Sequence, residues 1–165
     1  MNYFLDTNVC VHFLKGAFKL DIKMMSVGIE NCYISEITLA ELEFGVENSS
    51  SLYKQKQRQS FEKFSKTFED RTMAIRPCFS YYAQQKVKLR QTGMMISDFD
   101  LLIGCSSVVS DMVMVSENIK ELNRIENIKL ENSCCNFRAK KFNLSLKSII
   151  FNIRLKDYFI YFTCI

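Results

Sequence analysis

The sequence predicts a three-layer α/β/α sandwich around a mostly parallel central sheet, contained in residues 1–132. Three observations carry this reading. Short apolar runs (NYFL, CYIS, MVMV) recur along the chain, and none alternates with polar residues as a half-solvated strand would. Stretches with helical spacing separate them. That strand–helix alternation places helices on both faces of a parallel sheet.

The elements follow in order. Asn2–Leu5 reads as a buried strand. A helix follows from about Thr7 to Lys15, and Gly16 supplies a stop. Leu20, Met24 and Val27 give helical spacing to a second helix ending near Asn31. Cys32–Ser35 is the second strand. Residues 37–47 form a helix with Leu39, Leu42 and Val46 on one stripe and Glu41 near its edge. After a break at 48–51, residues 52–70 make a long polar helix whose apolar side is Phe61, Phe64 and Phe68. Thr72–Ile75 is a third strand. Pro77 opens a helix to Thr92, closed by Gly93. Asp98–Val109 is helical, Met112–Val115 is a buried strand, Ile119–Arg124 a short helix and Ile128–Leu130 a last strand.

The last 33 residues fit this pattern poorly. Residues 133–165 hold six basic residues and one acid, and are rich in Phe, Ile, Asn, Lys and Ser. Two readings remain open: an amphipathic helix near 143–156 with a terminal strand, or read-through past a shifted or lost stop codon. The second is preferred. An uncovered YFIYF run would promote aggregation.

Composition narrows the function classes. The chain has 165 residues, 48% hydrophobic and 24% charged, as a globular protein has. No stretch reaches the roughly 18 apolar residues of a membrane span, and Asp6 interrupts the apolar start, so a cytoplasmic protein without a secretory signal is expected. Seven cysteines without a CxxC pair point to free buried thiols rather than a zinc site. The net charge of +4 hides a layered distribution. Residues 1–50 and 91–132 are each acidic by four charges, while residues 51–90 are basic by seven. Nucleic acid binding needs such a basic stripe near the chemistry, not a basic chain.

Acids and amides fall where predicted strands give way to helices, the edge at which parallel sheets place ligands. They are Asp6 with Asn8, Glu41 on the following helix, Asp98 and Asp100 at a helix start, and Glu117 with Asn118 after MVMV. Alone, each is a helix cap or a surface charge. Converged, three carboxylates repel one another unless a cation compensates. Oxygen donors select hard cations, Mg²⁺ or Mn²⁺, which activate water and neutralise phosphoryl charge.

Four segments in this order and spacing, FLDTNVCVHFLKG, ISEITLAELEFGVENS, GMMISDFDLLIGCSS and VMVSENIKELNRIENIKLEN, resemble the PIN-domain ribonucleases, and more closely the VapC-type toxins of bacterial toxin–antitoxin pairs. The resemblance covers residues 1 to about 132. It implies a Mg²⁺- or Mn²⁺-dependent endoribonuclease leaving 5′-phosphate and 3′-hydroxyl ends. It carries the family's catalytic positions onto Asp6, Glu41, Asp100 and Asn118, with Asp6, Glu41 and Asp100 as metal ligands. Thr7, Asn8 and Ser116 fall on supporting positions. Asn118 replaces an acid of the family, so a second metal should bind more weakly, and Glu117 is its nearest carboxylate substitute. Asp98 does not share a helix face with Asp100 and is expected as an N-cap or outer-shell group.

Lys86, Lys88 and Arg90 are candidate phosphate contacts, and Tyr81 or Tyr82 could stack a base while the other enters the core. Lys54, Lys56 and Arg58 read as a solvated face. The resemblance further implies structured RNA as substrate (transfer or ribosomal RNA), a homodimer, no membrane, and a cognate antitoxin whose tail places a basic side chain among the acids. The Phe-bearing face of residues 52–68 is a candidate antitoxin surface. His12, the only histidine, is expected in packing or partner contact.

Two rival readings remain. One is a PIN fold that binds RNA or a partner without cutting. The other is a haloacid-dehalogenase-like phosphatase, but its second Asp is Asn8 here. No Gly-rich phosphate loop is present.

Overall fold

The computed structural model describes residues 1–132; the predicted extension over 133–165 lies outside the described residues. Five strands form one parallel sheet: β1 (Tyr3–Leu5), β2 (Cys32–Ser35), β3 (Thr72–Met73), β4 (Val113–Ser116) and β5 (Lys129–Asn132). Their order across the sheet is β3-β2-β1-β4-β5. Both neighbours of β1 are parallel to it, with Phe4 opposite Tyr33 on β2 and Met114 on β4.

Strand order explains the three layers. From β1 the chain steps outward to β2 and β3, then returns past β1 to β4 and β5. Right-handed crossovers stepping in opposite directions must place their helices on opposite faces. The core divides accordingly. Tyr3, Leu5, Cys32, Ile34, Val113 and Val115 face α1 (Thr7–Leu14), α2 (Leu20–Val27), α3 (Glu36–Glu47) and α4 (Ser51–Thr67). Phe4, Met112 and Met114 face α5 (Phe79–Gln91), α6 (Asp98–Val109) and α7 (Ile119–Leu122). Each apolar strand therefore still alternates, but between two cores.

Several element boundaries differ from the sequence expectation. Helix α2 ends at Val27, because Gly28 turns to φ +87° and a 3-10 turn over Ile29–Asn31 leads into β2. Strand β3 has two ladder residues, opposite Ile34 and Ser35, rather than four. Ile75 already has helical backbone and gives its N–H to Glu36 Oε2 at 3.2 Å. Pro77 sits inside the 3-10 turn Arg76–Cys78, and α5 begins only at Phe79.

The Phe face of α4 is not a partner surface. Phe61, Phe64 and Phe68 are buried in the first core, with Phe64 and Phe68 rings 4.7 Å apart. The exposed apolar residues of this region are Phe44, Leu52 and Tyr53. Cys10, Cys32, Cys78 and Cys105 are free and buried. Among the described residues no helix is long and apolar enough to cross a membrane.

Candidate active site

The site lies where the strand order reverses, beside the C-terminal ends of β1 and β4. Asp6 follows β1 in extended backbone (φ −69°, ψ 156°) and caps α1: its Oδ1 accepts the Thr7 N–H at 2.8 Å. Its other oxygen accepts from the Ser116 hydroxyl at 2.5 Å and the Asn8 side-chain amide at 2.9 Å. The Asp6 N–H donates to the Val115 carbonyl at 3.0 Å, so β1 continues its ladder up to the acid itself. Asp6 is only 3% exposed.

Glu41 reaches the same place from α3. The Thr7 hydroxyl donates to its Oε2 at 2.5 Å. Thr38, one turn earlier, is buried beside Thr7, and its own N–H is held by the α3 cap Ser35 at 3.0 Å. Asp100 enters from the first turn of α6, capped by Ser97, whose Oγ accepts the Asp100 N–H at 3.2 Å. The β4–α7 turn closes the group. Its Asn118 N–H donates to Ser116 Oγ at 2.9 Å. The Asn118 amide nitrogen lies 3.0 Å from Glu121 Oε2 and 3.5 Å from Asp100 Oδ2. Hydrogen bonds thus run from Glu41 through Thr7, Asp6, Ser116 and Asn118 to Asp100 and Glu121.

The electrostatics follow from burial and from like charges sharing one crevice. Burial pushes the Asp6 carboxyl up to about 6, and the fields of Asp100 and Glu41 push it the same way against the Ser116 and Thr7 hydrogen bonds. Burial raises Glu41 too, opposed by the Thr7 hydroxyl and reinforced by Asp100. The positive end of α1 offsets part of this repulsion.

The donor set suits a hard divalent cation. Asp6, Glu41, Asp100, Asn8, Ser116 and Asn118 all offer oxygen, and among the described residues no ion pair neutralises these carboxylates. Among the described residues Asn8 Oδ1 is buried without a hydrogen-bond partner, next to the amide that holds Asp6, and such an atom is satisfied by a cation or a water. Among the described residues no three acidic, His or Cys side chains already close into a ligand cage.

The remaining sequence candidates fall elsewhere. Asp98 is not the α6 cap, a role Ser97 takes. It is exposed and accepts from Lys86 Nζ at 2.6 Å and the Tyr82 hydroxyl at 3.0 Å. Lys88 pairs with Glu126 at 2.7 Å, and Arg90 is exposed without an ion pair among the described residues. Neither tyrosine is a free stacking platform. Both pack against the second core, and the Tyr81 hydroxyl donates to the Glu126 carbonyl at 2.6 Å. Arg58 binds Glu43 and Glu47, and Lys54 binds Glu47, so the basic stripe of α4 is matched by acids of α3. Glu117 Oε2 lies 3.2 Å from His12 Nε2. Glu121 is the acid that sequence reasoning missed. Its signal was its position three residues after Asn118 on a short helix, where a carboxylate can fold back to the turn.

An acid-lined crevice at the switch point of a parallel sheet lies where open α/β folds place their ligands. The PIN domain model matches residues 3–127, and the chain belongs to the PIN domain family. Its relatives there include Ribonuclease VapC2 of Rickettsia felis, 33% identical over 135 residues that span 80% of this chain and 98% of the relative. The tRNA(fMet)-specific endonuclease VapC of Salmonella typhimurium is 27% identical over 138 residues, 81% and 99% of the two chains. Among solved structures, VapBC2 from Rickettsia felis bound to a promoter DNA fragment superposes with a TM-score of 0.68 at 31% identity, covering 80% of this chain and 98% of the other. DNA-bound VapBC from Salmonella typhimurium gives 0.73 at 25% identity, covering 81% and 99%.

Proposed function

We propose that this protein is an endoribonuclease, the toxin of a toxin–antitoxin pair, which hydrolyses RNA phosphodiesters with Mg²⁺ or Mn²⁺. The observation that carries the reading is the crowding of Asp6, Glu41 and Asp100 into one crevice, with Asp6 raised to about 6 by burial and by its neighbours. The Asp100 charge acts on both Asp6 and Glu41, a repulsion that a bound cation would relieve.

Asp6, Glu41 and Asp100 would hold the cation, and Glu121 supplies the fourth carboxylate that Asn118 does not. When bound, the metal supplies Lewis acidity toward a phosphate oxygen and toward water. The protein's own groups set the geometry. Ser116 and Asn8 fix one Asp6 oxygen, Thr7 orients Glu41, and Asn118 lies against Asp100 and Glu121. His12 is not needed as a general base, so no 2′-hydroxyl attack is invoked, and the products carry 5′-phosphate and 3′-hydroxyl ends. The reading of a PIN protein that does not cut rests on the missing charge at Asn118 and on the atypical residues 133–165. Glu121 stands 3.0 Å from the Asn118 amide and answers the missing charge.

Partners follow from the same reading. The substrate is a structured RNA, and the relative named for tRNA(fMet) makes transfer RNA the first to test. Neighbours solved as VapBC complexes support a cognate antitoxin. A homodimer, a cytoplasmic location, and phosphate contacts from Lys86, Lys88 and Arg90 belong to the proposal. Lys86 and Lys88 would exchange exposed carboxylate partners for phosphate, at small cost.

Purified protein incubated with total RNA should cut only with Mg²⁺ or Mn²⁺ present, stop on chelation, and lose activity by at least about a hundredfold in Asp6→Asn. Mapping the 5′ ends identifies the target. Cutting that survives chelation, or persists in Asp6→Asn, would overturn the reading.

A further inference from the structure

His12 is the one histidine of the chain, and the chemistry above leaves it unused. It lies one helical turn beyond Asn8 on α1, so both side chains stand on the same face of that helix. Both meet the β4–α7 turn. Asn8 reaches Ser116 Oγ at 3.4 Å as well as Asp6, and His12 Nε2 lies 3.2 Å from Glu117 Oε2. The turn is thereby tied to α1 at two successive points. Ser116, the first of these points, also holds Asp6, and Asn118, just beyond the second, lies against Asp100 and Glu121.

The imidazole is itself held. The Phe18 ring meets it edge-on, centroids 4.8 Å apart at 79°. To place that ring, the α1–α2 loop puts two consecutive non-glycine residues, Phe18 at φ +55° and Lys19 at φ +53°, in the left-handed region. With Nε2–H donating to the carboxylate, His12 fixes the Glu117 side chain. A fixed Glu117 fixes the backbone of a turn whose next residue orients two acids of the site.

We infer that His12 and Glu117 form a positioning pair, which holds the β4–α7 turn so that Asn118 stays directed at Asp100 and Glu121. The inference rests on the nuclease reading for its effect on activity, but not for its effect on the turn. Groups that orient metal ligands from behind change affinity or rate by about 10- to 100-fold when removed. This pair acts through one intermediate residue, so the lower end applies.

The experiment compares full-length wild type, His12→Ala and His12→Gln, since a glutamine amide can still donate to Glu117. Three quantities are read: the Mn²⁺ dissociation constant by calorimetry, kcat and KM on a cleaved RNA, and the position of the Asn118 side-chain amide signals by ¹⁵N NMR. His12→Ala should weaken Mn²⁺ binding and lower kcat, each about tenfold, leave KM for RNA unchanged, and move the Asn118 signals. His12→Gln should restore most of each, and thermal midpoints should stay together. A raised KM with unchanged kcat and Mn²⁺ affinity would make His12 an RNA contact and overturn the inference. So would losses that track a lowered thermal midpoint without rescue by Gln. If wild type neither binds Mn²⁺ nor cuts RNA, the nuclease reading fails while NMR still decides the pair. Asn118 signals that do not move in His12→Ala overturn it in that case too.

Discussion

Asp6 serves two ends at once: it caps α1 and it supplies the most deeply buried carboxylate of the crevice. These demands conflict at neutral pH. With a folded pKa near 6 against an ordinary 3.8, the folded protein retains a proton that the unfolded chain releases. Stability therefore falls as pH rises through the window from about 4 to about 6, and the full penalty stands above it. Its size is about 3 kcal/mol at about 1.4 kcal/mol per pH unit. Asp6→Asn removes the charge but keeps one acceptor oxygen, and losing part of the Ser116, Asn8 and Thr7 hydrogen bonding returns about 1 kcal/mol. The variant should be about 1–2 kcal/mol more stable than wild type at pH 7.5 in chelator, and its stability should be flatter across pH 4–7. Added Mn²⁺ should raise the wild-type midpoint and not the variant's. Chemical denaturation at several pH values measures this, and a variant less stable than wild type at pH 7.5 contradicts it. Asp6 could be singled out in the sequence because an apolar run ending in Asp-Thr-Asn marks both a strand end and a helix start. Glu121 carries only a weak signal, its place three residues after Asn118, since an acid on a one-turn helix otherwise has the same pattern as any solvated charge.

At the level of elements, what could be read depended on whether the signal was local. Helix α6 keeps its predicted bounds, Asp98–Val109, because two acids at its start and an apolar run mark it locally, although its cap is Ser97 just before it and not Asp98. Strand β3 was drawn too long because ladder length is set by the partner strand and by where Ile75 turns, neither of which is written in Thr72–Ile75 itself. Helix α4 shows a further ambiguity. Its aromatic stripe was legible, but a stripe looks the same whether it meets a core or a partner. The structure packs Phe64 at 1% exposure against Phe13 and Phe68, while Leu52 on the same helix is 79% exposed. Phe64→Ala should cost about 3–5 kcal/mol through the cavity it leaves. Leu52→Ala should stay within about 0.5 kcal/mol of wild type. Urea unfolding of both variants tests the assignment, and a Phe64→Ala cost below about 1 kcal/mol would return that face to the surface.

For the molecule as a whole, strand order is the feature no local pattern encodes, and it is what assembles the site. Residues from β1, α3, α6 and the β4–α7 turn meet only because β4 lies against β1 and not beyond β3. The same order decides which parts of the chain the site requires. Among the described residues five strands and two cores form within residues 1–132, and the outer strands there are short, with β3 two residues long and β5 carrying Lys129 and Glu131. Such edges resist pairing with other chains. We propose that residues 1–132 fold alone, and a chain ended after Asn132 should keep its thermal midpoint within a few degrees and bind Mn²⁺ as the full chain does. Ending it after Ile128 is a different matter. That removes β5 and with it the pairing of Leu130 with Met114 and of Asn132 with Ser116, the residue that holds Asp6. The shorter chain should lose Mn²⁺ binding before it loses its helices. Circular dichroism and calorimetry on the two truncations separate the cases. Loss of folding in the chain ended after Asn132 would mean that residues 133–165 are structural, and the proposed boundary would be wrong.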